Sequence, residues 1–359
     1  MKLTTLTTAI IVATIPMTGA FAAALDRSGQ SISAFLQPGN YFEAGISVLD
    51  PTVSGTANAN GSTLADMGDD YYFPSAALKL QVTDHFSFGL LYDQPFGADA
   101  TYSLTDPALS ITGEGLFRNT TESTAVEVKT QNLSMILGFQ PTENWNLYGG
   151  GVYQTVKGDV QLRGLAYGGQ GTFGTYNASM KEDSAAGWLA GLAYQIPEIA
   201  LKASVTYRSE IDHDAATTET FAAPSLFAGL NALPNGSTSI TTPQSVNLDF
   251  QTGIMADTVA FANVRWVDWS NFSIRPTKFG TVSQNPLVAA STGKPQGFDL
   301  VAYSDDQISA TVGVGRKLSQ QWAGNVAVGW DSGAGNPVST LGPTEGYWNL
   351  GLGMQFSPT

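Results

Sequence analysis

Three sets of side chains in this 359-residue chain have the types and spacing for handling a ligand rather than for breaking bonds. The first is the apolar run from Phe221 to Leu233, set in a Gly/Asn/Thr-rich stretch, with Phe221, Leu226, Phe227, Leu230 and Leu233 as its large members. Apolar surface exposed on a connection marks a binding patch; the plainer reading is a short helix packed on neighbouring loops. The second set is Lys202, Arg208 and Arg265, which fall on the polar stripe of alternating segments together with Glu43, Lys79, Glu210 and Asp249. A carboxylate ligand pairs with such cations while its tail packs on apolar wall; the plainer reading is a structural ion-pair network. The third is Asp93-Gln94-Pro95-Phe96-Gly97, where proline removes a ladder hydrogen bond and glycine permits a kink. The plainer reading there is a strand running into its loop.

Catalytic signals are weak by comparison. His213 between Asp212 and Asp214 has the composition of an Asp–His dyad, but a single histidine on a loop is more simply a solvated one. His85 sits in a short turn with no triad partner beside it. Gly313-Val314-Gly315 opens no helix and Gly149-Gly150-Gly151 lies in an alternating run, so neither reads as a phosphate loop. With no Cys there is neither a disulfide framework nor a thiolate metal site. The reading is of a protein that is not an enzyme and needs no cofactor or metal.

The elements that must position these residues are strands. Trp348, Leu350, Leu352, Met354 and Phe356 alternate with small or polar residues, as do Trp322, Val326, Val328 and Trp330, and Leu133, Met135, Leu137 and Phe139. Aromatics close the apolar stripes at both ends, in Trp145…Tyr153 and Trp322…Trp330, which is how interfacial girdles of transmembrane barrels are placed. The opposite stripe is small and polar, unlike the dry inner face of a sandwich. Short turns near Thr83-Asp84, Thr142 to Asn144, Pro197-Glu198, Ala256-Asp257 and Ser319 to Gln321 alternate with long connections at 51–71, 96–121, 165–178, 212–242, 271–299 and 332–344. About twelve strands follow, with both ends on the periplasmic side. Lipid strands the hydrogen-bonding groups of an open edge, so the expected fold is an all-β transmembrane antiparallel barrel.

Only 13% of residues are charged, against about 25% in soluble domains. The net charge of −14 argues against a nucleic-acid partner. Lys2, the apolar run Leu6–Met17 and Ala20-Phe21-Ala22 read as a secretory signal with its cleavage site. The expected organisation is a signal over 1–22, a short periplasmic or plug segment over 23–38, and an outer-membrane barrel over 39–357.

Several segments resemble the FadL/TodX family of outer-membrane transporters for fatty acids and other hydrophobic compounds. They are Gly39-Asn40-Tyr41 with Val48 through Gly55, Tyr207 through Ile211, Thr242 through Val246, and Trp266-Val267-Asp268-Trp269-Ser270. Tyr303-Ser304-Asp305, Leu318 through Trp322 and Gly329-Trp330-Asp331 extend the match to most of the chain. The resemblance implies a fourteen-stranded barrel, an N-terminal hatch in the lumen, a hydrophobic capture groove on the loops, and a wall opening at a kink in the third strand. Carried over, Phe221, Leu226, Phe227, Leu230 and Leu233 would form the groove, Lys202, Arg208 and Arg265 would meet a head group, and Asp93, Pro95 and Gly97 would mark the opening. The implied ligand is a hydrophobic small molecule such as a long-chain fatty acid. The implied surroundings are outer-membrane lipids, lipopolysaccharide and the barrel-assembly machinery, with the chain a monomer. The segment before the first strand is shorter than the family's hatch and lacks an Asn-Pro-Ala motif. Against the family pattern about two strands are expected to be absent after Phe356, so that either the chain is a truncated version or the barrel closes with about twelve strands. A short plug also suits a general diffusion porin for small polar solutes, and a structural or adhesive barrel is a third reading.

Overall fold

The computed structural model describes residues 24–57, 60–336 and 338–357; the expected export signal lies outside them. Twelve antiparallel strands, numbered here in chain order, form one continuous sheet. They are β1 (Tyr41–Leu49), β2 (Tyr71–Gln81), β3 (Phe86–Asp93), β4 (Ala125–Phe139), β5 (Trp145–Gln161) and β6 (Tyr176–Ile196). The second half comprises β7 (Leu201–Arg208), β8 (Ser245–Met255), β9 (Thr258–Val267), β10 (Gln307–Lys317), β11 (Trp322–Asp331) and β12 (Tyr347–Phe356). Each strand pairs with its sequence neighbours, so the sheet is an up-and-down meander. All five expected short turns join strands on one side, and the long connections lie on the other. No helix among the described residues is long and apolar enough to cross a membrane.

The sheet's outer face is apolar where a soluble protein would be polar. Leu350, Leu352 and Met354 of β12 and Leu137 of β4 are each at least 68% exposed. In water such a band would be an aggregation surface; in lipid it is the solvent-matched face. From Trp322 to Trp330 a strand rises roughly 26 Å, at about 3.3 Å per residue, which matches an apolar band about 25 Å tall. Above it the outward stripe of β5 turns polar at Thr155, Lys157 and Asp159.

Two long connections are more ordered than their composition suggests. The 212–242 stretch is a hairpin: Ile211–Phe221 pairs with Gly236–Thr242, joined by a turn over Ala228–Ala232. Its alternation escaped an apolar/polar reading because the buried stripe includes His213, Thr217 and Glu219, while the exposed one is Asp212, Asp214, Ala216, Thr218 and Thr220. The polar outward stripe places this hairpin above the membrane. The 271–299 stretch carries α1 (Thr277–Ser283) and α2 (Pro286–Thr292). Buried Glu219 accepts from the first N–H groups of α1, at 2.8 Å from Lys278 and from Phe279, and so locks helix to hairpin.

The wall has two interruptions. The β2–β3 ladder ends at Ala76–Tyr92, and beyond it only a Gly68–Ala100 bridge reconnects the two chains. β6 leaves β7 at Leu189–Arg208 and rejoins the hairpin at Met180–Thr217; Asp183 spans part of the splay. β1 and β12 are the sheet's edges and do not pair with each other among the described residues.

Candidate functional site

The N-terminal segment runs through the interior and touches strands from across the sheet, so the sheet wraps around it. Arg265 of β9 grips Asp26 with two nitrogens, at 2.8 and 3.1 Å, and reaches Gln30 at 3.0 Å. Its third nitrogen donates to Asn247 at 2.7 Å. Arg208 donates to the Gln30 carbonyl at 3.2 Å and Lys202 to the Leu36 carbonyl at 2.9 Å. Lys79 of β2 holds the carbonyls of Gln37 and Gly39. Ser28 donates to Asp93 at the end of β3. The ring of Phe35 packs onto Gly89 and Gly138, where a Cβ would come within 2.5 and 2.8 Å of it, so these glycines make the seat. All three cations read from sequence as head-group contacts are thus engaged by this hatch, and Glu210 is exposed rather than inward.

Above the hatch lies an apolar chamber lined by Leu25, Phe96, Val128, Met180, Trp269 and Phe272 among others. Trp269 is fully buried, with its indole N–H donating to Gln307 at 2.8 Å, and Phe96 meets it edge-on at 5.4 Å. The free volume is about 20 Å³, room for a water and no more. A ligand can occupy this chamber only if its walls move. Leu25 belongs to the hatch and Phe96 to the break after β3, so hatch and wall break meet here. Neither Phe96 nor Trp269 is read from sequence as lining a ligand chamber; the signals available are the Pro95/Gly97 bracket around Phe96 and the paired tryptophans Trp266 and Trp269.

The break itself is built by Pro95. Past Asp93 the chain leaves β2, and Gly97–Thr101 continues on β4, with a bridge back to Gly68 at Ala100. Thr130 of β4 fills the break, donating to the Phe96 carbonyl at 2.7 Å and accepting its N–H at 2.9 Å. From inside, the hatch adds two backbone bonds, Arg27 N–H to the Pro95 carbonyl at 2.7 Å and Gly97 N–H to the Leu25 carbonyl at 2.8 Å. Asp93, Pro95 and Gly97 therefore sit where wall and hatch share hydrogen bonds.

The five apolar loop residues separate. Leu226 and Leu233 are exposed, at 76% and 50%, whereas Phe221 is fully buried. Phe227 and Leu230 are partly buried against the same cluster, in which Phe173 contacts Phe221, Phe227, Phe279 and Phe298. Ile111 on the 102–124 connection is fully exposed, with Leu104 and Leu109 also at the surface. His213 is not solvated. It is buried, 2.9 Å from Gln154 and 3.2 Å from Asp183.

A family model described as outer membrane protein transport protein (OMPP1/FadL/TodX) matches residues 22–334. Solved structures share the fold at low identity. A FadL homologue from Pseudomonas aeruginosa is 15% identical with a TM-score of 0.55, covering 88% of this chain and 76% of its own. The toluene transporter TodX of Pseudomonas putida is 12% identical with a TM-score of 0.56, covering 93% and 88%. A TodX mutant described as a monoaromatic hydrocarbon channel gives 13% and 0.60, covering 90% and 83%. No curated protein sequence matches the chain.

Proposed function

Because the chain belongs to the OMPP1/FadL/TodX family of bacterial outer-membrane transport proteins, we propose that it carries long-chain fatty acids inward by passive transfer through its wall. Family members are β-barrels of the outer membrane that pass hydrophobic compounds and are not enzymes. The observation that supports the finer reading is the narrow apolar chamber bounded by Leu25 of the hatch and by Phe96, which follows the point where the β2–β3 ladder ends.

In this reading a ligand first settles on exposed loop side chains, Leu226 and Leu233 foremost. It then displaces Leu25 and Phe96 to enter the chamber, and it leaves sideways between β2 and β3 into lipid. Each step exchanges apolar contact for apolar contact, so no energy source, cofactor or bond-breaking residue is required. The chain acts as a monomer among outer-membrane lipids and lipopolysaccharide, after insertion by the assembly machinery. A hatch tied to Lys79, Lys202, Arg208 and Arg265 leaves little support for a permanently open diffusion pore.

The aromatic lining of Phe96, Trp269 and Phe272 supports a second ligand class, small neutral aromatics. Uptake of radiolabelled oleate and of toluene by cells dependent on this protein separates the two. The fatty-acid reading expects saturable oleate uptake that falls severalfold in a Leu226→Asp/Leu233→Asp variant. A large steady ion conductance in planar bilayers, with no oleate binding, would overturn transport of hydrophobic ligands altogether.

A further inference from the structure

Arg27 is the one hatch cation, and its partners are incomplete: Tyr71 hydrogen-bonds it, and no carboxylate among the described residues lies within ion-pair reach. Only 6% of it is exposed, yet its Nε and one terminal nitrogen have no hydrogen-bond partner. It forms none of the five ion pairs found among the described residues. A buried charge in that condition is costly unless an anion completes it. What it does have is a clamp. The guanidinium lies 3.9 Å over the ring of Tyr71 on β2 and against Gly97 beyond the β3 break, where a Cβ would fall 2.5 Å from the guanidinium carbon. It thus fills the space between the strands at the point where their ladder has stopped.

Two cavities meet at this side chain. One, of about 180 Å³, lies beside the hatch in the lumen. The other, of about 60 Å³, opens at the wall gap and is lined by Ala24, Pro51, Val53, Tyr71 and Leu341 among others. The smaller one has room for a carboxylate, since about 10–15 Å³ of such free volume admits one water-sized group, but not for an acyl chain. Asp99 lines it too, and its charge acts on the guanidinium, as that of Glu127 does.

We propose that Arg27 is an anion-recognition site in the wall gap, which takes the carboxylate of an amphiphile while its apolar tail points out between β2 and β3. The proposal rests on the transport reading above and adds a preference for ionised over neutral ligands. A neutral aromatic would leave two guanidinium nitrogens without an acceptor; a carboxylate would supply two acceptors in the geometry its fork is built for.

The test compares labelled dodecanoate with dodecanol, which share a tail and differ in charge, on the purified full chain in amphipol at about pH 8. Wild type is expected to prefer dodecanoate by about tenfold, the scale of one charge-assisted hydrogen bond. Arg27→Gln should erase that preference and leave dodecanol binding unchanged. Asp99→Asn alters no hatch residue and removes a like charge from the site, so it should tighten dodecanoate severalfold and not dodecanol. Equal affinity of wild type for the two ligands overturns the anion site while the transport reading stands. So does an Asp99→Asn variant that gains nothing, or an Arg27→Gln variant that keeps the preference. Failure to bind either ligand removes the transport reading and this site together.

Discussion

Arg265 shows how a single inward cation can decide whether the lumen is open. Its guanidinium is buried, with five bonds shared between Asp26 and Gln30 of the hatch and Ser245 and Asn247 of β8. Removing one partner of such a pair leaves the other charge stranded, at a cost of about 3–5 kcal/mol. Arg265→Ala should therefore undock the hatch, raising steady ion conductance and the rate of proteolysis within residues 24–40; conductance at the wild-type level would mean the hatch is held by other contacts. His213 makes a pH prediction. Burial pushes its pKa below the ordinary value despite the pull of Asp183 and Asp212. The fold therefore favours the neutral ring. The stability this supplies is present above the unfolded value of about 6.5 and is lost as pH falls through the lower folded value. Protease nicking of the hairpin should accelerate on acidification in wild type and not in His213→Gln, and parallel profiles would exclude the imidazole as the sensor. The inward position of Lys202, Arg208 and Arg265 was legible because strand alternation fixes which way a side chain points. Their acceptors were not, because backbone carbonyls of an irregular segment such as Gln30 and Leu36 carry no periodicity.

The elements were legible wherever one face meets lipid, since hydrocarbon tolerates only apolar side chains and so writes a clean period of two into β4, β11 and β12. The hairpin Ile211–Phe221 met water and hatch-side polar groups instead, and its period was carried by His213, Thr217 and Glu219, which a hydrophobicity pattern discards. The interruption beside β3 was half legible: Pro95 and Gly97 announced a break, but not that Thr130 and the hatch backbone would fill it. The lipid reading of the outer stripes can be tested on β11. Val326 lies midway between Trp322 and Trp330 and is exposed. Val326→Arg should cost about 2–4 kcal/mol of folding free energy in lipid, the penalty for a cation at the bilayer midplane. Arg at the same position in a water-facing strand would cost a few tenths at most. Chemical unfolding from bilayers reads the difference, and a near-neutral result would move β11 out of the membrane.

At the scale of the whole molecule the telling feature is the seam between the first and last strands. β1 pairs only with β2, and β12 only with β11, so each offers one row of N–H and C=O groups with no ladder partner among the described residues. Each unsatisfied group in hydrocarbon costs several kcal/mol. Both strands are lipid-facing by their chemistry: Phe42, Ile46 and Val48 are exposed on β1, as are Leu350, Leu352 and Met354 on β12. A dozen such groups left bare would outweigh the entire stability of an ordinary domain, about 5–15 kcal/mol. The rows must therefore be satisfied in the bilayer, by each other or by further strands. Hydrogen exchange in nanodiscs tests this directly. The amides of β1 and β12 should exchange as slowly as those of β9, which is paired on both sides. In detergent micelles, where water reaches an edge more readily, the two edge strands should lose protection before the interior ones. Should β1 and β12 exchange in nanodiscs at the rate of the 102–124 connection, their outer rows face water, and the seam would be a feature of the transporter rather than a joint closed by the membrane.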